Sequence, residues 1–368
     1  MEKKKIILVS PGLGYINRGY ETHMAELYKV MQENTDFDFY IFKRNGKTNT
    51  QERNFFSLKR NWNLTHFFRK LTGIKDSTME QISFFLFIIP SIIKLKPHII
   101  YVADYVLSVL LMKLKKALKL EYNIIFRNGN NYLPPYKNAD YIQQLLPSEK
   151  WKNNNEENSK KQFTIPHGFH FENFISSYNK FKLRSHLNLP FDKTIILSVG
   201  KVDKTIKRMD YVINEMSVLN EDFFLLILGQ YCNETAEIKS LAEALLGKNR
   251  FMIRTVDPNE INNYYHASDI FVSASLNEGF GRMYVEAAYV GLPMIVHDYQ
   301  VPHKLLENYP IFSDLSVVGN LSSSINKVVK NNFATDNDVR ESLFQRFDWK
   351  YLKIKYEMMF KRVLNQKC

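Results

Sequence analysis

Short apolar runs alternate along this chain with segments long enough to form helices, and this alternation constrains the fold more than any other feature. Runs of Ile, Val, Leu and Phe predict strands that are buried on both faces, as in parallel sheets covered by helices. In the first half the predicted strands are Lys5–Ser10, Phe37–Phe42, Ile99–Val102, Ile124–Phe126 and Phe163–Ile165. In the second half they are Thr194–Val199, Phe223–Leu228, Phe251–Ile253, Ile270–Val272 and Met294–Val296. The sequence therefore predicts an α/β protein with two parallel sheets.

The chain length indicates two domains, because 368 residues is about twice what one hydrophobic core organises. Pro166-His167-Gly168 ends the fifth predicted strand and marks the joint. We expect an N-terminal domain over residues 1–172, a C-terminal domain over 173–347 and a helix over 348–368. The spacing predicts one apolar face for that helix, formed by Tyr351, Ile354, Met358 and Val363.

Cysteine usage and hydropathy indicate a cytoplasmic protein. Cys232 and Cys368 lie far apart without metal-ligand spacing, so the sequence supports neither a disulfide framework nor a zinc site. The apolar run Ile6–Val9 is too short for a signal-peptide core. Phe84–Ile93 has about half of the ~20 residues that a membrane-spanning helix needs. No membrane span is expected.

The positive charge is concentrated in the first half of the chain. The net charge is +12, of which residues 1–175 carry 26 − 16 = +10 and residues 176–368 carry 24 − 22 = +2. Basic runs at Lys59-Arg60 and Arg69-Lys70 sit beside Trp62 and Phe67. That mixture suits an anionic membrane surface. Solvated helix faces and nucleic acid remain alternative explanations of the charge.

The segment from Ser275 to Pro293, SLNEGFGRMYVEAAYVGLP, follows a predicted strand and opens a helix. Gly279 and Gly281 let the backbone approach a ligand closely, and the amides at a helix start attract phosphate. Glu278 and Glu286 can accept hydrogen bonds from sugar and ribose hydroxyls. Taken singly, each residue is explained as well by a strand-to-helix connection whose acidic residues favour the helix start.

Taken together, Glu278 and Glu286 with the intervening glycines and Gly291-Leu292-Pro293 resemble the Glu-x7-Glu element of retaining nucleotide-sugar glycosyltransferases. Over its whole length the chain resembles glycosyltransferase family 4, the glycosyl transferases group 1. The resemblance implies the GT-B fold, with two Rossmann-like domains facing a central cleft and a C-terminal helix that crosses back to the N-terminal domain. It also implies that the N-terminal domain binds the acceptor and the C-terminal domain the nucleotide-sugar donor.

A second element of that resemblance runs from Gly200 to Lys207, reading GKVDKTIK. It resembles the family's Gly-Arg…Lys donor-phosphate element, with Lys201 in place of Arg, so a bidentate guanidinium is replaced by an ammonium. In this domain the implied donor-binding residues are Gly200, Lys201, Lys207, Glu278, Gly279, Phe280, Gly281 and Glu286. The implied catalytic residues are Glu278, Lys207, Lys201 and Asn128.

The N-terminal domain carries weaker signals. Arg18-Gly19 resembles the second part of the family's glycine-rich loop, with Arg18 in place of the first glycine, and both residues are implied to bind the donor. The loop lacks the third glycine of a dinucleotide-binding motif, which argues against a nicotinamide enzyme. After the strand Ile124–Phe126, Arg127 and Asn128 stand where many family members place a His. Asn128 can hydrogen-bond a donor hydroxyl but cannot act as a general base at neutral pH.

The resemblance implies a metal-independent hexosyltransferase-type enzyme (EC 2.4) in cell-surface polysaccharide or glycoconjugate synthesis. Its partners would be a nucleoside diphosphate sugar, a glycan or lipid-linked acceptor and an anionic membrane surface, with peripheral attachment in the cytoplasm and no nucleic acid. Neither a cofactor nor a metal is expected, because strand alternation explains Asp36-Phe37-Asp38 better than a metal motif does. A non-catalytic sugar-nucleotide-binding protein and a basic nucleic-acid-binding protein remain alternatives.

Overall fold

A computed structural model describes residues 3–16, 19–33, 36–60, 62–129, 139–147, 161–331 and 337–365. The chain forms two compact units. The first comprises Met1–Gly168 and Trp349–Cys368, and the second comprises Phe169–Asp348. The C-terminal helix therefore belongs to the first unit, as the sequence analysis expected.

The first unit is built on a parallel sheet with the strand order β3-β2-β1-β4-β5-β6-β7. Its strands are β1 (Lys4–Ser10), β2 (Phe37–Lys43), β3 (Glu52–Asn54), β4 (Ile99–Val102), β5 (Asn123–Asn128), β6 (Tyr141–Gln144) and β7 (Gln162–Thr164). Its helices are α1 (Gly19–Met31), α2 (Asn63–Thr72), α3 (Asp76–Leu95), α4 (Tyr105–Ala117) and, at the C-terminus, α13 (Trp349–Asn365).

The unbroken apolar sequence of β1 reflects burial on both faces of this sheet. Ile6 and Leu8 pack in one core with residues of α1 and α13. Ile7 and Val9 point the other way and pack with residues of α3 and α4. Alternate side chains of a strand point to opposite faces, so a strand between two helical layers needs apolar residues at every position.

Helix α13 buries a different face from the one that the sequence predicted. Tyr351, Ile354 and Met358 are exposed by 36, 57 and 64%. Of the four predicted positions only Val363 is buried. The helix carries a second apolar stripe with larger aromatic groups, and the sheet is covered by that stripe, because large aromatic side chains bury the most apolar area. Its members are Trp349, Leu352, Tyr356, Met359, Phe360 and Val363.

A buried polar network joins α13 to the sheet. The Tyr101 hydroxyl donates to Oε1 of Gln143 at 2.6 Å. The Gln143 amide nitrogen donates to the Tyr356 hydroxyl and to the Ile165 carbonyl, each at 2.8 Å. These polar groups therefore have partners although they lie in the core, and such pairing offsets the cost of burying them.

Helix α3 is longer than the apolar stretch that the sequence analysis considered. It spans 20 residues and continues through Pro90. Within the described residues it is the one helix long and apolar enough to cross a membrane, and 33% of its most apolar window is buried. A core helix of a soluble protein passes the same test of length and composition.

The second unit contains a parallel sheet with the order β10-β9-β8-β11-β12-β13. Its strands are β8 (Thr194–Val199), β9 (Phe223–Leu228), β10 (Phe251–Arg254), β11 (Ile270–Ser273), β12 (Met294–His297) and β13 (Ile311–Ser313). Its helices are α5 (Lys180–Leu187), α6 (Met209–Ser217), α7 (Thr235–Leu246), α8 (Ile261–Ala267), α9 (Arg282–Val290), α10 (Gln300–Leu306), α11 (Asn320–Asn331) and α12 (Asn337–Phe347), preceded by the 3-10 helix Phe171–Phe174.

In each sheet the strand order reverses at one point. The reversal lies between β1 and β4 in the first unit and between β8 and β11 in the second. In sheets of this kind, ligands bind outside the carboxyl ends of the strands at the reversal. The two predicted donor-binding elements directly follow β8 and β11. The topology of the second unit therefore brings both elements to the same edge of its sheet, at the carboxyl ends of these strands.

We predict that Phe360→Ala destabilises the first unit by about 3–5 kcal/mol, the usual cost of removing a buried Phe. Phe360 is fully buried, and its ring centroid lies 5.5 Å from that of Phe39. Urea unfolding of the full chain measures the change. The control is Met358→Ala on the exposed face, which should change stability by less than about 0.5 kcal/mol. Equal effects of the two variants would contradict the assignment of the buried face.

Candidate functional site

The loop after β8 passes very close to the loop after β9. A Cβ atom on Gly229 would lie 1.6 Å from the carbonyl oxygen of Gly200. A Cβ atom on Gly200 would in turn lie 2.5 Å from Cε of Lys207. Both positions therefore require glycine, and the crowding places the Lys207 side chain directly over the backbone of residue 200. Sequence reasoning identified Gly200 but missed Gly229, whose signal is a glycine immediately after a buried strand.

Asp203 organises the rest of this loop. It is fully buried, and its Oδ1 accepts hydrogen bonds from the backbone amides of Ile206 at 3.0 Å and Lys207 at 2.7 Å. A short carboxylate that caps following amides is a common way to fix a turn. The Nζ of Lys201 lies 3.3 Å from Oδ2 of Asp203, and half of the Lys201 side chain is exposed. Asp203 was not among the predicted site residues.

Lys207 and Glu278, 71 positions apart in the sequence, form an ion pair. Their side chains are only 13% and 14% exposed. The Lys207 ammonium also lies 3.7 Å from the sulfur of Met283. The structure thus brings together two residues that the sequence analysis had assigned to one site, and Glu278 holds the ammonium beside the start of α9.

The start of α9 is shaped by Gly281, which has a φ of +77°. A Cβ atom there would lie 2.6 Å from the ring of Tyr284, so glycine is required. Phe280 is buried, with its ring near those of Phe169 and Phe347. Only the backbone of Phe280 is therefore suited to ligand binding, together with the first amides of α9, which carry the positive end of the helix dipole.

Glu286 lies on the second turn of α9 and is 91% buried. The Tyr265 hydroxyl donates to its Oε2 at 2.9 Å. Arg282 lies one turn earlier, with Nε 3.5 Å from Oε1 of Glu286. Burial, followed by the charge of Glu286, raises the pKa of Tyr265, so this hydroxyl remains a donor at neutral pH. The carboxylate is thereby fixed in orientation and keeps acceptor sites for further hydroxyl groups.

Arg208 joins the two loops and was also missed by sequence reasoning. Its guanidinium donates to the carbonyl oxygens of Ala274 at 3.3 Å and Leu315 at 2.6 Å. The residue itself has a φ of +52°, which is uncommon for a non-glycine residue. Ser275, at the end of β11, is fully buried, and its hydroxyl has no hydrogen-bond partner within the described part of the chain.

In the first unit, Asn128 ends β5 and is 99% buried, and its amide nitrogen donates to Oε1 of Gln144 at 3.0 Å. Arg127 contacts Nε2 of His167 and lies over the ring of Tyr20 at 5.4 Å. Gly19 is the first residue of α1. Arg18 lies outside the described residues. Asn128, predicted as catalytic, thus lies at the end of β5, and Gly19, predicted to bind the donor, lies at the start of α1, both on a different unit from Lys207.

The second unit therefore combines several groups suited to an activated sugar. The ammonium groups of Lys201 and Lys207 and the amides at the start of α9 attract a diphosphate. Glu286, held by Tyr265, can accept hydrogen bonds from ribose or sugar hydroxyls. Among the described residues, no group of three or more His, Cys, Asp or Glu side chains is arranged to hold a metal ion.

Sequence comparison finds known proteins that are similar to part of this chain. Residues 179–344 match the family model for glycosyl transferases group 1. A D-inositol 3-phosphate glycosyltransferase of Xylanimonas cellulosilytica is 29% identical over 31% of this chain and 28% of its own length. An alpha-monoglucosyldiacylglycerol synthase of Streptococcus pneumoniae is 27% identical over 36% of this chain and 32% of its own length. The matched segments thus span about a third or less of these relatives.

Solved structures are similar over almost the whole chain. Sucrose-phosphate synthase from Thermosynechococcus elongatus has a TM-score of 0.77 at 17% identity, covering 98% of this chain and 99% of that one. Anabaena HepE, in complex with UDP and glucose, has a TM-score of 0.73 at 13% identity, covering 97% and 99%. With the two parallel sheets, these similarities show the GT-B fold. The similarity to the group 1 glycosyl transferases in sequence therefore concerns residues 179–344, and the similarity to solved structures extends the fold to the rest of the chain.

Proposed function

We propose that the protein is a glycosyltransferase of family 4 that moves a sugar from a nucleoside diphosphate sugar to a glycan or lipid-linked acceptor. The observation that carries the proposal is the Lys207–Glu278 ion pair beside the start of α9, at the strand-order reversal of the second sheet. The family model covers this same region. The similar Anabaena HepE has been solved in complex with UDP and glucose and with UDP-glucose, which supports a nucleotide-sugar donor.

In the proposed reaction the bond between the sugar C1 and the phosphate oxygen breaks, and a bond from C1 to the acceptor oxygen forms. The acceptor proton passes to an oxygen of the departing diphosphate, and the anomeric configuration is retained. Lys207 and Lys201 stabilise the negative charge that develops on the diphosphate, since fixed cations and amides lower a barrier most where charge develops. The proposed reaction needs no protein nucleophile, and the two lysines neutralise the negative charge of the diphosphate.

We propose that the acceptor is a lipid-linked or cell-surface glycan precursor at the cytoplasmic side of a membrane. The +10 charge of residues 1–175 supports an anionic acceptor or surface. One relative is named for adding glucose to a diacylglycerol lipid, and another for an inositol phosphate.

A non-catalytic sugar-nucleotide-binding protein is the second candidate, because Arg127 and Asn128 replace the His that many family members carry. Purified protein distinguishes the two candidates. Release of nucleoside diphosphate from a panel of UDP-, GDP- and ADP-sugars supports the enzyme. Donor binding without release over long incubation, with and without glycan and lipid acceptors, supports the binding protein. Activity that persists in EDTA would support metal independence.

We predict that Lys207→Ala lowers kcat/KM about 10²–10³-fold, because one donor to a developing oxyanion contributes about 2.7–4 kcal/mol. The assay is release of nucleoside diphosphate with the best donor of the panel. Lys204→Ala is the matched control, since Lys204 lies in the same loop but pairs with the exposed Glu237. Wild-type turnover by Lys207→Ala would exclude the proposed role of this ammonium.

Glu286→Gln should weaken donor binding about tenfold while preserving the fold. The amide oxygen can still accept from Tyr265, but the charge that strengthens hydrogen bonds to ribose hydroxyls is lost. Thermal shift measures the effect, since a donor at 100 times its Kd adds about 2.7 kcal/mol of stability. Glu243→Gln, on the exposed side of α7, is the control. An unchanged donor affinity in Glu286→Gln would contradict the assignment.

The loop that positions Lys207 gives a third prediction. Asp203→Ala removes the buried carboxylate that accepts from the amides of Ile206 and Lys207. We expect a loss of about 1–3 kcal/mol in stability and weaker donor binding. Asp203→Asn keeps an oxygen at the same place and should retain most of both properties. Urea unfolding and donor titration by thermal shift test the pair. If the Ala and Asn variants behave alike, the Oδ1 hydrogen bonds do not hold the loop.

A further inference from the structure

Helix α2 turns its apolar side outward. Leu64 lies three residues before Phe67 and four before Phe68, and Leu71 lies four and three residues after them. The four side chains therefore form one stripe along the helix. Their exposed fractions are 50, 61, 38 and 72%. The one buried residue of α2 is Thr65, whose hydroxyl donates to the Lys59 carbonyl oxygen at 2.7 Å. A helix on a water-facing surface normally buries such a stripe, so this face is suited to an apolar environment.

Helix α3 adds to the exposed apolar area. Leu86 and Phe87 are 59% and 53% exposed, and the ring of Phe87 lies 5.1 Å from that of Phe56. The two helices are tied together where α3 begins. Oδ2 of Asp76 accepts from Arg69 at 3.5 Å and lies 3.2 Å from Nδ1 of His66. We call Leu64, Phe67, Phe68, Leu71, Leu86 and Phe87 the apolar platform.

The sequence that forms α2 and its flanks is mainly basic. Between Phe56 and Lys75 the sequence contains five Lys or Arg residues and no Asp or Glu. Arg69 and Lys70, on the last turn of α2, are both exposed. Exposed Phe and Leu beside exposed Lys and Arg match the two chemistries of an anionic bilayer surface, which are its acyl boundary and its headgroups.

Other occupants explain less of this surface. A nucleic acid would account for the basic residues but not for the exposed stripe of α2. A second copy of the chain would cover the stripe but gives no reason for the excess of basic residues beside it. Crossing of the membrane by α3 conflicts with its other face, where Phe84, Phe85 and Ile88 pack in the core with residues of β1 and β4.

We propose that the apolar platform docks the first unit peripherally on an anionic phospholipid bilayer, with Arg69 and Lys70 at the headgroups. The proposal rests on the membrane location given in the proposed function and names the surface that would reach the membrane. The platform shares no residue with the donor site, which lies on the second unit, so the two can be tested separately. The side chains of the apolar platform insert at the acyl boundary of the bilayer, and the basic residues provide selectivity for negatively charged lipids.

Vesicle sedimentation of the full chain tests the proposal, with phosphatidylglycerol–phosphatidylcholine vesicles compared with phosphatidylcholine alone. We expect at least tenfold stronger partitioning to the anionic vesicles. Phe67→Ser with Leu71→Ser should reduce that partitioning at least tenfold, and Arg69→Gln with Lys70→Gln about 30-fold. Ile354→Ser with Met358→Ser is the matched control, because these exposed apolar residues lie among lysines on α13. The control should stay within twofold of the wild type.

The possible results separate this surface from the donor site and from folding. Unchanged melting temperatures and unchanged donor thermal shifts in the platform variants, with weakened vesicle binding, support the proposal. Negligible binding to both vesicle types, or full binding by both platform variants, overturns it. Protein that remains in the bilayer after high salt and alkaline carbonate would overturn peripheral docking in favour of insertion. Loss of vesicle binding that follows a change of oligomeric state in gel filtration would assign the platform to a second copy.

Discussion

The candidate site depends on a constraint of parallel sheets, which is that every strand ends at the same edge. In the second unit β8 and β11 are neighbours in the sheet although 70 residues of sequence lie between the two strands. The segments that leave these two strands must therefore start side by side. One supplies Lys207 and the other Glu278, and their ion pair lies at the first turn of a helix whose amides point toward the same edge. The chemistry proposed for the protein follows from that meeting point.

Close packing of the backbone fixes the geometry of the loop that carries Lys207. Gly229 allows the Gly200 carbonyl to approach, and Asp203 pairs with the amides that lead to Lys207. Arg208 then connects the same loop to the carbonyl after β11. A long Lys side chain loses considerable rotamer entropy when it is fixed. Here the loop backbone and the Glu278 carboxylate fix it before any ligand binds, which lowers the ordering cost of binding.

The sequence was sufficient for the parts of the structure that depend on local pattern. Apolar runs located every long strand, and the glycines and acidic residues around Glu278 located the loop that opens α9. Residues that act through distant neighbours, such as Arg208 and Tyr265, carry no local signal of their partners. The short strands β3, β6 and β13 have too few apolar residues for their pattern to stand out. The face of α13 was wrong because two apolar stripes compete, and spacing alone does not show which one the sheet covers.

The proposed route of the acceptor proton agrees with the chemistry of the residues that end β5. The buried Arg127 side chain contacts His167 and lies over the ring of Tyr20, and a guanidinium has donors but no acceptor. The amide of Asn128 donates to Gln144, and an amide is no base. A mechanism that needs a base on this strand therefore has none available from these two residues. In the proposed reaction the proton passes to the departing diphosphate and needs no such base, and Lys201 and Lys207 of the second unit would stabilise the charge on that diphosphate.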